Sequence, residues 1–251
     1  MLGPERQDHC SYRSHVKLFY EAGDRGVWSL GSNLIRKDRG LSHPTLEVPN
    51  IQFENQHTMI LMKRIPGEPL SKVWPSLSTD EKESIAKQTA EHPLELRKLQ
   101  SDQIQALGGR PVYANFLFKE KQDNAEMQRG FGESIQRLCE SNSESACHPP
   151  SPIVTFTHGD LTNVNIMVDN EFVTGIIDWE TAGYFPVWWK YVCTSVGDSE
   201  EDRDWKTLLR KYMPDHSAAR EFWLDYYYVS RNPGSERAMK FISLVTEGST
   251  C

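Results

Sequence analysis

No stretch of this chain approaches the uninterrupted apolar length of a bilayer span, which argues against a membrane-embedded protein. Basic charge is scarce as well: 28 Lys and Arg stand against 35 Asp and Glu, a formal net charge of -7. A nucleic-acid partner would demand a basic face and an anionic membrane surface a basic patch, so neither partner is expected. Met1 to His9 lacks the apolar core of a signal peptide. Cysteines are few: Cys10, Cys139, Cys147, Cys193 and Cys251 are odd in number, scattered and without a C-x-x-C pair. They predict free thiols in a reducing compartment, neither a disulfide frame nor a zinc site, and the expected localisation is cytoplasmic. No internal repeat is evident. What is present, 251 residues that are 38% hydrophobic and 25% charged, suffices for a core in one domain or in two lobes sharing a cleft.

One run stands out: His158-Gly159-Asp160-Leu161-Thr162-Asn163-Val164-Asn165-Ile166, followed later by Ile176-Ile177-Asp178-Trp179. Phosphoryl transfer from a nucleotide needs a carboxylate that orients the attacking hydroxyl and takes its proton. It also needs oxygen ligands that hold Mg²⁺ on the phosphates. Asp160 and Asn165 have the Asp-x-x-x-x-Asn spacing of a kinase catalytic loop, which brings both side chains from one short loop to one cleft. The β-prone Pro152 to Thr157 leads into the loop and places Asp160 just past a strand end. Asn165 to Asp169 and Phe172 to Ile177 predict a hairpin around the turn Asp169-Asn170-Glu171. Such a hairpin returns Asp178 to the end that carries Asn165. Taken singly, each residue reads better as a turn or capping residue; the ordered set is what carries weight.

The segment from Phe156 through Trp179 to Pro186 resembles the aminoglycoside phosphotransferase and choline kinase-like family. That resemblance implies an α+β, bilobal, protein kinase-like fold. A small antiparallel β-sheet N-lobe, shortened, would cover a nucleotide (residues 1–64), and a larger, mainly helical C-lobe would follow (65–251). The C-lobe would carry the catalytic loop (158–165) and metal motif (177–179). It further implies Asp160 as catalytic base, Asn165 and Asp178 as Mg²⁺ ligands, and His158 as a structural histidine that steadies the loop. The cofactors implied are ATP and Mg²⁺, and the partner is a small-molecule hydroxyl acceptor.

Three short β-prone runs precede this region: Val16 to Tyr20, Val27 to Leu30 and Asn33 to Lys37. Turns fall at Gly23 to Gly26 and at Gly31-Ser32. Gly23 and Gly26 are candidates for a phosphate lid, since glycine lets backbone N–H groups approach oxygens closely; a plain hairpin is the alternative. If the third run is a strand, Ile35 and Lys37 share a face, an apolar wall beside an ammonium for the phosphates. Glu47 is the counterpart to Lys37 by analogy with kinases, although Pro49 disfavours a helix there. Between Lys37 and the strand-like Thr58 to Met62 there is room for one short helix and little else, hence the shortened lobe. Met62, Lys63 and Arg64 resemble the hinge whose backbone pairs with adenine.

Ser78-Thr-Asp-Glu81 reads as a capping box opening an amphipathic run through Ile85, Leu94, Leu96, Leu99, Ile104 and Leu107, ended by Gly108-Gly109. Pro93 should kink or split it. Residues 121–152 are polar and Ser/Pro-rich, a surface linker with one short helix. The aromatics after Asp178 predict the core of a helical lobe, and the acidic run Asp198 to Asp204 a helix first turn. A clamp for a cationic substrate is the rival reading of that run. The rival to phosphotransfer is a degenerate kinase-like binding module without transfer activity.

Overall fold

A computed structural model defines residues 16–22, 25–40, 51–52, 57–110, 112, 154–232 and 234–247, to which every structural statement refers. Along the chain they fall into two compact units, Met1–Pro66 and Gly67–Cys251.

The first unit is a five-stranded antiparallel sheet of β1 (Val16–Ala22), β2 (Arg25–Leu30), β3 (Leu34–Gly40), β4 (Ile51–Gln52) and β5 (His57–Lys63). Its order is β1-β2-β3-β5-β4. The three runs expected from β-branched and aromatic content are strands. Between β3 and β5 the chain also supplies a further strand, the two-residue β4, whose Ile51 pairs with Met59. Register fixes the faces. Lys37 stands opposite Val27 and Ile60, and Ile35 opposite Ser29 and Met62. Directly opposed residues project to the same side of a sheet, so these six line one face, of which Ile60 and Ser29 are buried.

The second unit begins with β6 (Glu68–Pro69) and α1 (Leu70–Val73), then α2 (Thr79–Leu96) and β7 (Gln100–Ser101). The capping box forms as expected: Ser78 N–H donates to Glu81 Oε2 at 2.6 Å and Glu81 N–H to Ser78 Oγ at 3.3 Å. α2 runs on through Pro93 to Leu96, so the proline falls in the last turn, where few helical bonds remain for it to break. The helix does not continue to Leu107. Leu99 and Leu107 are exposed, and the chain instead pairs Gln100 and Ser101 with Thr155 and Val154. Strand pairing beyond α2 overrides the apolar periodicity there.

β8 (Val154–Thr157), β9 (Ile166–Asp169), β10 (Phe172–Ile176) and β11 (Gly183–Pro186) follow. They form two three-stranded sheets, β11-β8-β7 and β10-β9-β6. The β9–β10 hairpin is the expected one, with Asn170 and Glu171 at positive φ (46° and 70°) in its turn. Helices α3 (Trp189–Cys193), α4 (Glu200–Arg210), α5 (Ser217–Arg231) and α6 (Glu236–Glu247) complete the unit. Trp188, Trp189, Trp205 and Trp223 are fully buried, so the late aromatics are core. The acidic run is the first turn of α4, capped by Ser199 Oγ on Asp202 N–H. Leu161, Ile166 and Val168 share one apolar cluster with Leu70, Trp74, Ile85, Trp205 and Leu209. The loop between β8 and β9 is thus pinned to the core at both ends.

Candidate active site

The β8–β9 connection starts with His158, buried and bonded on both ring nitrogens. Nε2 lies 2.9 Å from Ile177 O, and Nδ1 lies 3.2 Å from Asp160 N. A carbonyl can only accept and an amide N–H can only donate, so Nε2 carries the proton and Nδ1 accepts. The ring also meets Trp179 edge-on at 4.5 Å, while Trp179 Nε1–H donates to Ile176 O at 2.8 Å. His158 therefore joins the Asp160 loop to the Asp178 segment. Gly159 sits at φ +85°, and a Cβ there would lie 2.6 Å from Thr181 O. Only glycine meets both constraints.

Asn165 is buried and donates its Nδ2–H to Asp160 Oδ2 at 3.0 Å and to Asp160 O at 3.2 Å. Its Oδ1 is left for another partner. Ile177 N–H donates to Asn165 O at 2.9 Å, which ties the residue before Asp178 to Asn165. Asp178 adopts left-handed backbone (φ 63°, ψ 64°) immediately before a 3₁₀ turn at Trp179–Thr181. Non-glycine residues hold that conformation only where their surroundings enforce it, and Asp tolerates it better than most. Burial pushes the Asp160 carboxyl up. Lys206 opposes the rise, and Asp178, Asp198 and Asp202 add to it. The structure thus brings Asp160, Asn165 and Asp178 together, as the motif spacing led one to expect.

Helix α4 buttresses this loop in a way the sequence did not disclose. Asp202 Oδ1 accepts from Asn163 N–H at 2.8 Å, and its Oδ2 meets Lys206 Nζ at 2.9 Å and accepts from Asp198 N–H at 3.3 Å. Lys206 Nζ donates a second bond to Val196 O at 2.7 Å. Trp205 Nε1–H reaches Leu161 O at 2.9 Å. An acid and a base four apart flanking a tryptophan in a polar helix was the available signal. It was obscured because Asp202 also counts among the first-turn acids.

The remaining candidates lie in the first unit. Lys37 is half-buried on the β3 face described above, beside Ile35. Met62 and Lys63 end β5 in the ladder with Ile35 and Leu34, and Arg64 N–H donates to Asn33 O at 2.8 Å. That amide is therefore engaged within the sheet. Gly26 is not in the turn but in β2, paired with Glu21. A Cβ there would meet the Trp28 ring at 2.1 Å, so packing against that indole accounts for the glycine. Gly23, Glu47 and residues 121–152 lie outside the described residues. Cys193 is a free thiol whose pKa burial raises. Among the described residues no group of three His, Cys, Asp or Glu side chains gathers as a metal cluster, and no helix is long and apolar enough to cross a membrane.

A mainly helical unit whose β8–β9 loop presents a carboxylate and a carboxamide, with a second carboxylate just after β10, following an antiparallel sheet along the chain, has a kinase-like fold. The sequence profile of the phosphotransferase enzyme family (APH) matches residues 39–222, and the chain belongs to that family. No curated protein matches the sequence. Among solved structures, the streptomycin–ATP ternary complex of APH(2")-IIa is similar at 14% identity and a TM-score of 0.53, covering 98% of this chain and 97% of that one. The ADP-bound aminoglycoside phosphotransferase APH(2'')-Ib is similar at 15% identity and a TM-score of 0.53, covering 98% and 96%. A thermostable APH(4)-Ia mutant in ternary complex with AMP-PNP and hygromycin B is similar at 12% identity and a TM-score of 0.53, covering 94% and 95%. At such identities the likeness establishes the fold.

Proposed function

We propose that this protein transfers the γ-phosphoryl group of ATP, with Mg²⁺, to a hydroxyl of a small-molecule acceptor. The observation that carries this reading is the buried Asn165 bonded to Asp160, with the Asp178 segment joined to both through Ile177 and His158. Asp160 orients the acceptor hydroxyl. As the acceptor oxygen bonds to the γ-phosphorus, its proton passes to the Asp160 carboxylate, the bond to the β,γ-bridging oxygen breaks, and ADP departs. Asn165 Oδ1 and the Asp178 carboxylate are hard oxygen donors and suit Mg²⁺. Bound there, Mg²⁺ supplies charge neutralisation for the phosphate oxygens. Lys37 steadies the α- and β-phosphates from the sheet face that also presents Ile35 to adenine, with Glu47 as its counterpart. Met62 and Lys63 are assigned the adenine-facing hinge.

The named relatives act as context for the acceptor: streptomycin, gentamicin and hygromycin B occupy those proteins. A small hydroxyl-bearing acceptor follows by analogy, without the antibiotic identity. The test is incubation of the protein with a metabolite extract and γ-¹⁸O-labelled ATP, read by mass spectrometry, with Asp160→Asn in parallel. A labelled phosphoester formed by the wild type and absent with Asp160→Asn is expected. The same products from both proteins would refute the assignment of the base.

A further inference from the structure

Strand β1 slips register by one residue at Phe19: Leu18 opposes Trp28 and Tyr20 opposes Val27, so Phe19 has no opposite residue in the ladder. A bulge of this kind re-aims a side chain and is over-represented beside functional sites. Alternation fixes the side to which the ring projects. Leu18 and Trp28 share the Arg36 side of the sheet, away from Lys37, so Phe19 falls on the Lys37 side. Arg64 reaches that side from β5. Met62 opposes Ile35 on the Lys37 face, Lys63 turns away, and Arg64 returns to it, its N–H prolonging the ladder to Asn33 O at 2.8 Å. The two side chains meet, with Arg64 Cζ 5.1 Å from the centroid of the Phe19 ring.

Phe19 is nevertheless 50% exposed. Val16, Leu34 and Leu61, the other exposed large apolar residues described in the first unit, project from the opposite side. Val16 and Leu34 both oppose Leu30, two residues from Trp28, and Leu61 opposes Arg36. Of that group Phe19 alone lies on the face that carries Lys37. Its position along the strand is equally specific. Lys17 continues the row of Ile35 and Ser29, and Tyr20 continues the row of Lys37 and Val27, so Phe19 lies between the two rows. Those rows are about 7 Å apart, two residues of extended chain. Single exposed apolar residues are ordinary on a protein surface. This one is turned by a bulge, braced by a guanidinium and set between an apolar wall and an ammonium.

We infer that Phe19 is the stacking platform for the purine base of the nucleotide and that Arg64 is a positioning residue that backs its ring. The inference rests on the phosphotransferase reading, which puts the phosphates at Lys37. An aromatic ring stacks on a base through its π-face, which aliphatic Ile35 lacks. The Arg64 guanidinium is held to the ring by its quadrupole, and this contact keeps the ring from rotating away from the sheet face. The base gains its stacking energy on a ring that is already oriented, so little side-chain entropy is lost on binding.

Mg²⁺-ATP and Mg²⁺-tripolyphosphate are the probes, each titrated calorimetrically into the full chain; the second carries the phosphates without the base. Phe19→Leu keeps an apolar side chain and loses the ring. It should weaken ATP binding about tenfold and leave tripolyphosphate binding unchanged. Phe19→Trp, which keeps a π-face, should retain the wild-type affinity for ATP. Arg64→Met removes the backing and leaves the ring, and should weaken ATP by about threefold. Unchanged tripolyphosphate affinity also shows that the sheet bearing Lys37 is intact in each variant. ATP affinity unaltered by Phe19→Leu, an equal loss for the two probes, or a loss in Phe19→Trp as large as in Phe19→Leu overturns the inference and leaves the phosphotransferase reading standing. Binding of neither probe by the wild type overturns both.

Discussion

Lys206→Met tests whether α4 holds the catalytic loop in place. The Lys206 and Asp202 side chains are 5% and 2% exposed and meet at 2.9 Å, so neither water nor salt screens them. Removing the ammonium leaves a buried carboxylate with only the N–H groups of Asn163 and Asp198 as partners. Breaking a buried ion pair costs about 3–5 kcal/mol, and the two remaining bonds argue for the lower end, about 3 kcal/mol. In urea denaturation followed by tryptophan fluorescence, that loss lowers the midpoint by about 1 M at a slope of about 3 kcal/mol/M. Asp202→Asn alone should be similarly harmful, because Asp202 also holds Asn163 N–H. The double variant should lose about 1–2 kcal/mol less than the sum of the singles, since each removes a charge the other leaves stranded. Phosphoryl transfer should fall in all three while the first unit keeps its sheet signature. A single-variant loss below about 1 kcal/mol, or strict additivity in the double, would refute the buttress.

Burial holds Lys190 at about 7 against an ordinary 10.5. The unfolded chain therefore binds the extra proton between those values, and stability should rise with pH through that window. The full difference is worth roughly 4–5 kcal/mol, the penalty being complete below the lower value. Lys190→Met should flatten the rise between about pH 7 and about pH 10, as read from urea midpoints; an unaltered slope would contradict it. Gly159→Ala forces a Cβ against Thr181 O at a positive φ, so thermal unfolding should show a loss of about 2–4 kcal/mol together with lost transfer. His158→Leu removes both ring bonds and should cost about 2–3 kcal/mol by denaturant titration, with kcat reduced more than nucleotide affinity. Full activity in that variant would show the histidine to be dispensable.

What could be read from the sequence was whatever is local. Asp160, Asn165 and the β9–β10 hairpin lie within one short span, so spacing and strand propensity sufficed to bring Asp178 alongside. The β1–β2–β3 meander was legible for the same reason, as was the capping box at Ser78. The structure departs from the reading where distant segments decide. α2 stops at Leu96 because β7 pairs with β8, more than fifty positions further along. Gly26 reads as a turn glycine until Trp28 is seen packed over it. Asp202 and Trp205 bond to a loop some forty residues earlier, and a charged first turn gives no sign of burial. Lys190 likewise sits in an unremarkable aromatic run; only burial distinguishes it from a surface lysine.

The central claim is a nucleotide site built on Asp160, Asn165 and Asp178. Calorimetric titration of Mg²⁺-ATP into the purified protein, with Asp178→Ala alongside, tests it most directly. Saturable, Mg²⁺-dependent binding by the wild type that is lost in Asp178→Ala is the expected result. Absence of binding by the wild type, or equal binding by the two proteins, would contradict it.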